Sequence, residues 1–295
     1  RKAMNIQRHF ILGDNWLYFK IYTGFKTADL LLRDAIYPLS QQLKLQKLIS
    51  HWFFVRYNDP DFHLRVRFYL PKTQTNGEII QQIHNSLQEY FQNGMIWKIQ
   101  YDTYNREIER YGKNTMELSE QIFCADSEMV VELLKNTTDN QRWLLSLRAI
   151  DELLTIFGYN IEKKAELLKI LQENFAKEFK IEGKLVKQFS QNFRENRKEI
   201  EKIMTVNNEE NILLLPVFSK SAKIQHYINK FLEFEKDKKM QVSFNDLLSS
   251  YIHLMLNRFF RTQPRKHELV LYDYLYRYYN SEINKLKYQE KNNQK

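Results

Sequence analysis

Residues 52–68 read Trp52-Phe-Phe-Val-Arg-Tyr-Asn-Asp-Pro-Asp-Phe-His-Leu-Arg-Val-Arg-Phe68. Two aromatic and β-branched runs flank Asn58-Asp-Pro-Asp61, and Asn, Asp and Pro together are turn chemistry. The stretch therefore predicts a hairpin with strands over residues 52–57 and 62–70. With the strand period of two, His63, Arg65 and Arg67 project from one face and Leu64, Val66 and Phe68 from the other. One face is core; the other is a row of cations. Two guanidiniums two residues apart repel each other unless an anion or carboxylates meet them, and Arg56 on the partner strand is expected to add a third. The planar guanidinium fork suits carboxylate or phosphate. Spacing alone leaves a solvated strand face with ordinary ion pairs as the other reading.

Working outward, residues 16–22 read as a further strand, although their alternation is imperfect. A helix is predicted over 28–36, ending just before Pro38, with short helix 41–51, helix 77–93 and strand 96–104 completing the N-terminal third. Beyond Asn114 the strand signal fades, and helices are predicted over 116–123, 127–134, 141–157, 161–179, 184–204, 219–233, 244–260 and 264–279. The fold class expected is α+β: an N-terminal antiparallel sheet with flanking helices and a largely helical C-terminal half. No Gly/Ser/Pro-rich linker separates the halves, so residues 9–290 are expected to form a single domain with a polar tail at 291–295. Fraying is expected from Ser281 onward.

Composition narrows the function classes. The 295 residues are 43% hydrophobic and 27% charged with no apolar run near membrane-spanning length, which excludes wholesale disorder and a transmembrane segment. The lone Cys124 excludes an intrachain disulfide framework or thiolate zinc cluster. No charged-then-apolar leader opens the chain, and the compartment expected is the cytoplasm. The net charge of +9 with 18 Tyr and 20 Phe would suit single-stranded nucleic acid. However, the charge-dense stretches 195–202 and 233–239 read as solvated helix faces or loops, so no direct nucleic-acid contact is expected. Without a glycine-rich phosphate loop or a His/Cys cluster at ligand spacing, neither a cofactor nor a metal is expected.

Two further segments concentrate polar anomalies. In Tyr104-Asn-Arg-Glu-Ile-Glu-Arg-Tyr-Gly112, a helical turn would set Arg106 and Arg110 four apart and place Glu107 to orient Arg110, with Gly112 as terminator. In Ser249-Ser-Tyr-Ile-His-Leu-Met-Leu-Asn-Arg-Phe-Phe-Arg261, His253 and Asn257 share a helix face and Arg258 lies beside them. His253 reads either as a satisfied core histidine or as a general acid/base.

Together these segments resemble the glutamate-elimination domain of class I lanthipeptide dehydratases, also found as stand-alone thiopeptide-type bacteriocin biosynthesis proteins. The resemblance runs from Trp16 to Tyr279. It is carried by Trp52-Phe-Phe-Val-Arg-Tyr-Asn-Asp-Pro60 with His63-Leu-Arg-Val-Arg67, by Arg106-Glu-Ile-Glu-Arg-Tyr-Gly112, by Met116-Glu-Leu-Ser-Glu-Gln-Ile-Phe123 with Asp126-Ser127, and by His253 to Arg258. Two departures are local: Lys113 stands where the family often has a second glycine, and residues 254–256 are apolar inside the late histidine motif.

The resemblance implies a lyase, a peptide glutamate eliminase. A separate tRNA-dependent glutamylating protein esterifies Ser or Thr of a precursor peptide, and this chain expels glutamate to leave dehydroalanine or dehydrobutyrine. By family analogy Arg67, Arg110 and His253 are the catalytic candidates. Arg65, Arg258, Arg56 and Glu107 are expected to bind the glutamyl group or support the first set. The resemblance also keeps two rivals open: the [4+2] cycloaddition that builds the pyridine of thiopeptides, and a non-catalytic peptide-binding or scaffold subunit. The helical half is expected to offer either a dimer surface or a dock for the glutamylating partner.

Overall fold

The computed structural model describes residues 6–206 and 211–293. The opening Arg1-Lys-Ala-Met4 and the last two residues of the predicted tail lie outside the described residues. The chain folds as two compact units, Arg1–Thr137 with His226–Thr262 and Thr138–Gln225 with Gln263–Lys295; the span 9–290 contains both.

The first unit is built on two antiparallel sheets. Strands β1 (His9–Phe10), β2 (Trp16–Thr23), β3 (His51–Asn58), β4 (Phe62–Tyr69), β5 (Ile96–Asp102) and β6 (Tyr104–Asn105) pair as β1-β6 and, in a four-stranded sheet, as β3-β4-β2-β5. The imperfect alternation of β2 has a physical cause: it lies between β4 and β5, and seven of its eight residues are buried, so both faces select apolar side chains. The hairpin has the expected two-faced pattern, with Leu64, Val66 and Phe68 fully buried against Phe19 and Trp52.

Helices α1 (Phe25–Leu31) and α2 (Tyr37–Leu45) are one continuous run joined by a π-helical stretch, Leu32–Ile36, rather than two helices broken at Pro38. Pro38 has no N–H, and its ring would crowd the carbonyl four residues back; the wide π turn just before it, where the Tyr37 N–H reaches the Leu32 carbonyl, relieves that crowding. His51, expected in a helix, instead opens β3. Then come α3 (Asn76–Gln92), the short α4 (Ile108–Tyr111) and α5 (Met116–Asn136). The last is a single helix where two were predicted. Its polar Cys124, Asp126 and Ser127 are buried rather than helix-breaking, because Ser127 Oγ donates to the Phe123 carbonyl and also meets β3.

The remaining helices are α6 (Arg142–Ile156), α7 (Ile161–Glu178), α8 (Lys184–Thr205), α9 (Leu215–Lys236), α10 (Phe244–Phe259) and α11 (Pro264–Asn293). Of these, α10 packs on α5 and β3 in the first unit. In the second unit α11 packs on α7, and its Leu269, Leu271, Tyr272, Leu275 and Tyr279 are core. Where a frayed tail was expected from Ser281, α11 continues as helix to Asn293. Its extension is tied to α8 through Arg197 to Ser281 and Lys285 to Glu201.

Candidate active site

The hairpin register decides which side chains share a face. Opposite residues in an antiparallel pair lie on the same side. Arg67 faces Phe53 and Tyr18, Arg65 faces Val55 and Lys20, and His63 faces Tyr57 and Tyr22. Arg56, in contrast, faces Leu64. It therefore belongs to the other side of the sheet, and the expectation that it adds a third cation to the row is corrected by register. Its guanidinium donates through Nη2 to Asp29 at 2.6 Å and through Nε to the Arg258 carbonyl at 3.0 Å.

A cleft of about 210 Å³ opens on the cationic side. Among its lining residues are Arg65 and Arg67 from β4, Tyr104 from β6, Glu107, Arg110 and Tyr111 from the α4 turn, and His253 and Asn257 from α10. Six of the seven residues predicted for the site, Arg56, Arg65, Arg67, Glu107, Arg110 and His253, thus line one cleft, although register turns the Arg56 side chain to the other face of the sheet.

Arg67 is 9% exposed and held by aromatic faces: its guanidinium carbon lies 4.3 Å from the Tyr18 ring centroid, 4.8 Å from Tyr104 and 5.1 Å from Phe53. Its Nε and Nη1 are buried without a protein hydrogen-bond partner. Burial lowers its pKa from the ordinary arginine value, against the upward pull of the Tyr18 and Tyr104 phenols. Arg65 lies flat on Tyr57, 3.4 Å from the ring centroid, and donates Nε to His63 Nε2 at 3.1 Å. The His63 Nδ1 meets the Asp61 carbonyl at 2.8 Å, so the proton sits on Nδ1 and Nε2 accepts. Burial, with Arg65 adding to it, lowers the His63 pKa and keeps the ring neutral.

Arg110 pairs with Glu107 at 3.1 Å, both side chains about half exposed. The helical turn is shorter than expected: α4 begins only at Ile108, and Arg106 lies before it, outside any helix, its N–H donating to the Arg8 carbonyl. Arg106 therefore does not stand one turn below Arg110. It turns inward to Glu120, with Nε and Nη2 each 2.7 Å from a different carboxylate oxygen. After the turn, Gly112 adopts φ 76° and ψ 146°, which only glycine takes readily. A Cβ there would stand 2.7 Å from Thr115 Oγ1, which itself donates to the Tyr111 carbonyl. Lys113 fills the family's second glycine position without a left-handed backbone, its N–H donating to Gln241 Oε1 at 2.6 Å.

On α10, residues 253, 254 and 257 are half-buried while their neighbours are fully buried, which turns His253 toward the cleft. Arg258 faces the opposite way. It is 0% exposed, donates Nε to the Phe54 carbonyl at 2.8 Å and lies 3.7 Å from Asp126. Burial pulls its pKa down to about 10. The cleft's lining does not include Arg258.

A family described as the C-terminal region of lantibiotic biosynthesis dehydratases matches residues 16–279. The chain belongs to that lantibiotic dehydratase family. The nisin biosynthesis protein NisB of Lactococcus lactis subsp. lactis is 29% identical over 284 residues, covering 92% of this chain and 26% of that protein. The subtilin biosynthesis protein SpaB of Bacillus subtilis is 30% identical over 175 residues, 57% of this chain and 17% of its own length. The chain thus spans about a quarter or less of these curated relatives. Among solved structures, the tRNA-dependent lantibiotic dehydratase MibB from Microbispora sp. 107891 superposes with a TM-score of 0.73 at 19% identity, covering 92% of this chain and 28% of that one. The pyridine synthase TbtD from thiomuracin biosynthesis does so with 0.69 at 11% identity, covering 92% and 100%. Both likenesses are of fold.

Within this lantibiotic dehydratase domain, sequence reasoning missed Tyr18, Phe53 and Tyr104, which form the walls around Arg67. The signal available was weak: all three lie on strands, where an aromatic residue is ordinary core material. It also missed β1, whose pairing of His9 with Asn105 and Phe10 with Tyr104 anchors the segment that leads into Glu107 and Arg110. A two-residue strand leaves no period to read. No helix among the described residues is long and apolar enough to cross a membrane.

Proposed function

We propose that this chain performs the elimination step of a two-step peptide dehydration. A separate tRNA-dependent glutamylating protein esterifies Ser or Thr of a ribosomally made precursor peptide; this chain then expels glutamate as a carboxylate, leaving dehydroalanine or dehydrobutyrine. The chemistry breaks the Cα–H bond and the Cβ–O bond and forms the Cα–Cβ double bond. Charge builds on the neighbouring amide oxygen and on the departing carboxylate.

The observation that carries the reading is Arg67: a buried guanidinium with two unpaired N–H groups and aromatic faces where a carboxylate would ordinarily sit. A buried cation without an internal counter-ion is costly, and an anionic substrate group offsets that cost. Arg110, oriented by Glu107, supplies a second cation at the mouth of the cleft. These are fixed positive groups for the two places where negative charge develops. Among the lining residues, the arginines are permanent cations, and burial raises the Tyr104 and Tyr111 phenols well out of the range for a base at neutral pH. Glu107 is paired with Arg110. By the family resemblance His253, which lines the cleft, is assigned to take the Cα proton and pass it on. Arg65 is assigned to the glutamyl carboxylate. Arg56 and Arg258 are assigned to support of the strand that carries the cleft wall.

The test is incubation of the purified chain with a pre-glutamylated precursor peptide, followed by mass spectrometry. Conversion to dehydroamino acids with loss of glutamate is expected. Arg67→Ala is expected to slow the loss about 10²–10³-fold. A folded wild-type protein that leaves an authentic glutamylated substrate intact would refute the reading and favour a cycloaddition or scaffold role.

A further inference from the structure

Elimination leaves one motif without a role: Met116-Glu-Leu-Ser-Glu-Gln-Ile-Phe123, whose Glu120 is 1% exposed on α5. Glu120 is joined to the cleft through a single aromatic ring. The Tyr104 hydroxyl donates to Glu120 Oε1 at 3.0 Å, and the other side of that connection is the Tyr104 face, 4.8 Å from the Arg67 guanidinium.

The way Arg67 is held makes that connection consequential. Aromatic faces attract a cation but impose little direction on it, and neither Nε nor Nη1 has a hydrogen bond to lock its orientation. The position of Arg67 therefore follows the position of its walls. Tyr104 is a wall fixed on several sides. Besides the hydroxyl bond, Phe10 stacks on it at 5.9 Å and Trp16 meets it edge-on at 5.4 Å. Glu120 is itself fixed, since Arg106 grips both of its oxygens at 2.7 Å and is anchored in turn by Nη1 to the Gln7 carbonyl at 3.1 Å. A phenol that donates to a carboxylate also becomes more electron-rich, which strengthens the attraction of its face for a cation.

We propose that Tyr104 and Glu120 are positioning residues for Arg67, with the Tyr104 hydroxyl as the link between them. The proposal rests on the elimination reading above. Neither residue touches the reacting atoms; Arg106 holds Glu120 and Glu120 holds Tyr104. The ring then sets where the Arg67 guanidinium meets the developing negative charge.

The test uses the full chain and a glutamylated precursor peptide, with kcat and KM from the rate of glutamate loss and Tm measured alongside. Tyr104→Phe keeps the ring and removes only the link. It is expected to lower kcat about ten-fold while KM stays within about two-fold. Glu120→Ala, which removes the acceptor, is expected to do the same per folded molecule, and the double variant to be no slower than the slower single one, since both cut one connection. Tyr104→Phe with wild-type kcat, alongside an inactive Arg67→Ala, would overturn the inference and leave elimination standing. So would a rate loss that only tracks the loss of folded protein. An Arg67→Ala variant that eliminates normally would remove this inference alone, whereas a folded wild-type chain that leaves the glutamylated peptide intact would remove the elimination reading and this inference with it.

Discussion

Asn257→Ala separates the two readings of α10. By sequence Asn257 shares a face with His253 and looks like part of a site; in the structure it caps an open sheet edge. β3 is an edge strand, and its outward backbone groups at Phe54 and Arg56 meet side chains rather than another strand. Ser127 Oγ accepts the Phe54 N–H at 3.2 Å, and Arg258 Nε donates to the Phe54 carbonyl. Asn257 closes the next position: Oδ1 accepts the Arg56 N–H at 2.9 Å, and Nδ2 donates to the Arg56 carbonyl at 2.9 Å. Removing it deletes two bonds and orphans a donor and an acceptor, each worth about 1–3 kcal/mol when fully buried. Asn257 is half-buried beside a cleft that admits water, so the lower part of that range applies and the loss is about 2–4 kcal/mol.

With a urea m-value of about 1–3 kcal/mol/M, the midpoint should fall by roughly 1–2 M at unchanged m. Trp16, Trp52 and Trp97 lie in the first unit and Trp143 in the second, so tryptophan fluorescence in a Trp143→Phe background follows the relevant unit. A loss below about 0.5 kcal/mol, within the range of ordinary surface substitutions, would refute the edge-capping account.

Two other outcomes follow from the same geometry. His51 packs against Trp16 and Tyr69, and burial, with Arg106 second, lowers its pKa from 6.5 to about 3. Because the folded value lies below the unfolded one, its contribution to stability is complete above pH 6.5 and is lost as pH falls toward 3, at up to about 1.4 kcal/mol per pH unit. The difference in urea midpoint between His51→Phe and wild type should therefore change between pH 6.5 and 5; a constant difference would count against the shift. Gly112→Ala puts a side chain into a backbone region that only glycine occupies easily and a Cβ against Thr115, so it should cost about 1–3 kcal/mol and slow elimination by moving Arg110. Normal stability and rate in that variant would show that the turn does not need glycine.

The parts legible in sequence were those governed by local period and local chemistry. Alternation over 63–68 placed Arg65 and Arg67 away from the core because Leu64, Val66 and Phe68 had to be inside it. Asn58 to Asp61 marked the turn, and helix spacing placed His253 and Asn257 on one face. Arg56 could not be placed this way, since a strand residue's partner depends on register across the turn, and register put it opposite Leu64. Arg106 was misplaced because a charged run fits a helix as well as an extended segment, and only β1 on its far side decided between them.

By itself, then, the sequence determined the α+β class, the faces of the hairpin and the set of cations and histidine that a peptide-elimination reading requires. The first two follow from which side chains must leave water within a few residues of chain; the set of cations and histidine comes from the family resemblance. Only the tertiary structure decided which arginines face the cleft and which serve the scaffold. Arg67 reaches the cleft surrounded by aromatic rings from β2, β3 and β6, while Arg258, far away in the chain, is buried against the Phe54 carbonyl. Guanidinium chemistry is the same in both places; whether a carboxylate or carbonyl is within reach is set by long-range packing, which no local pattern contains.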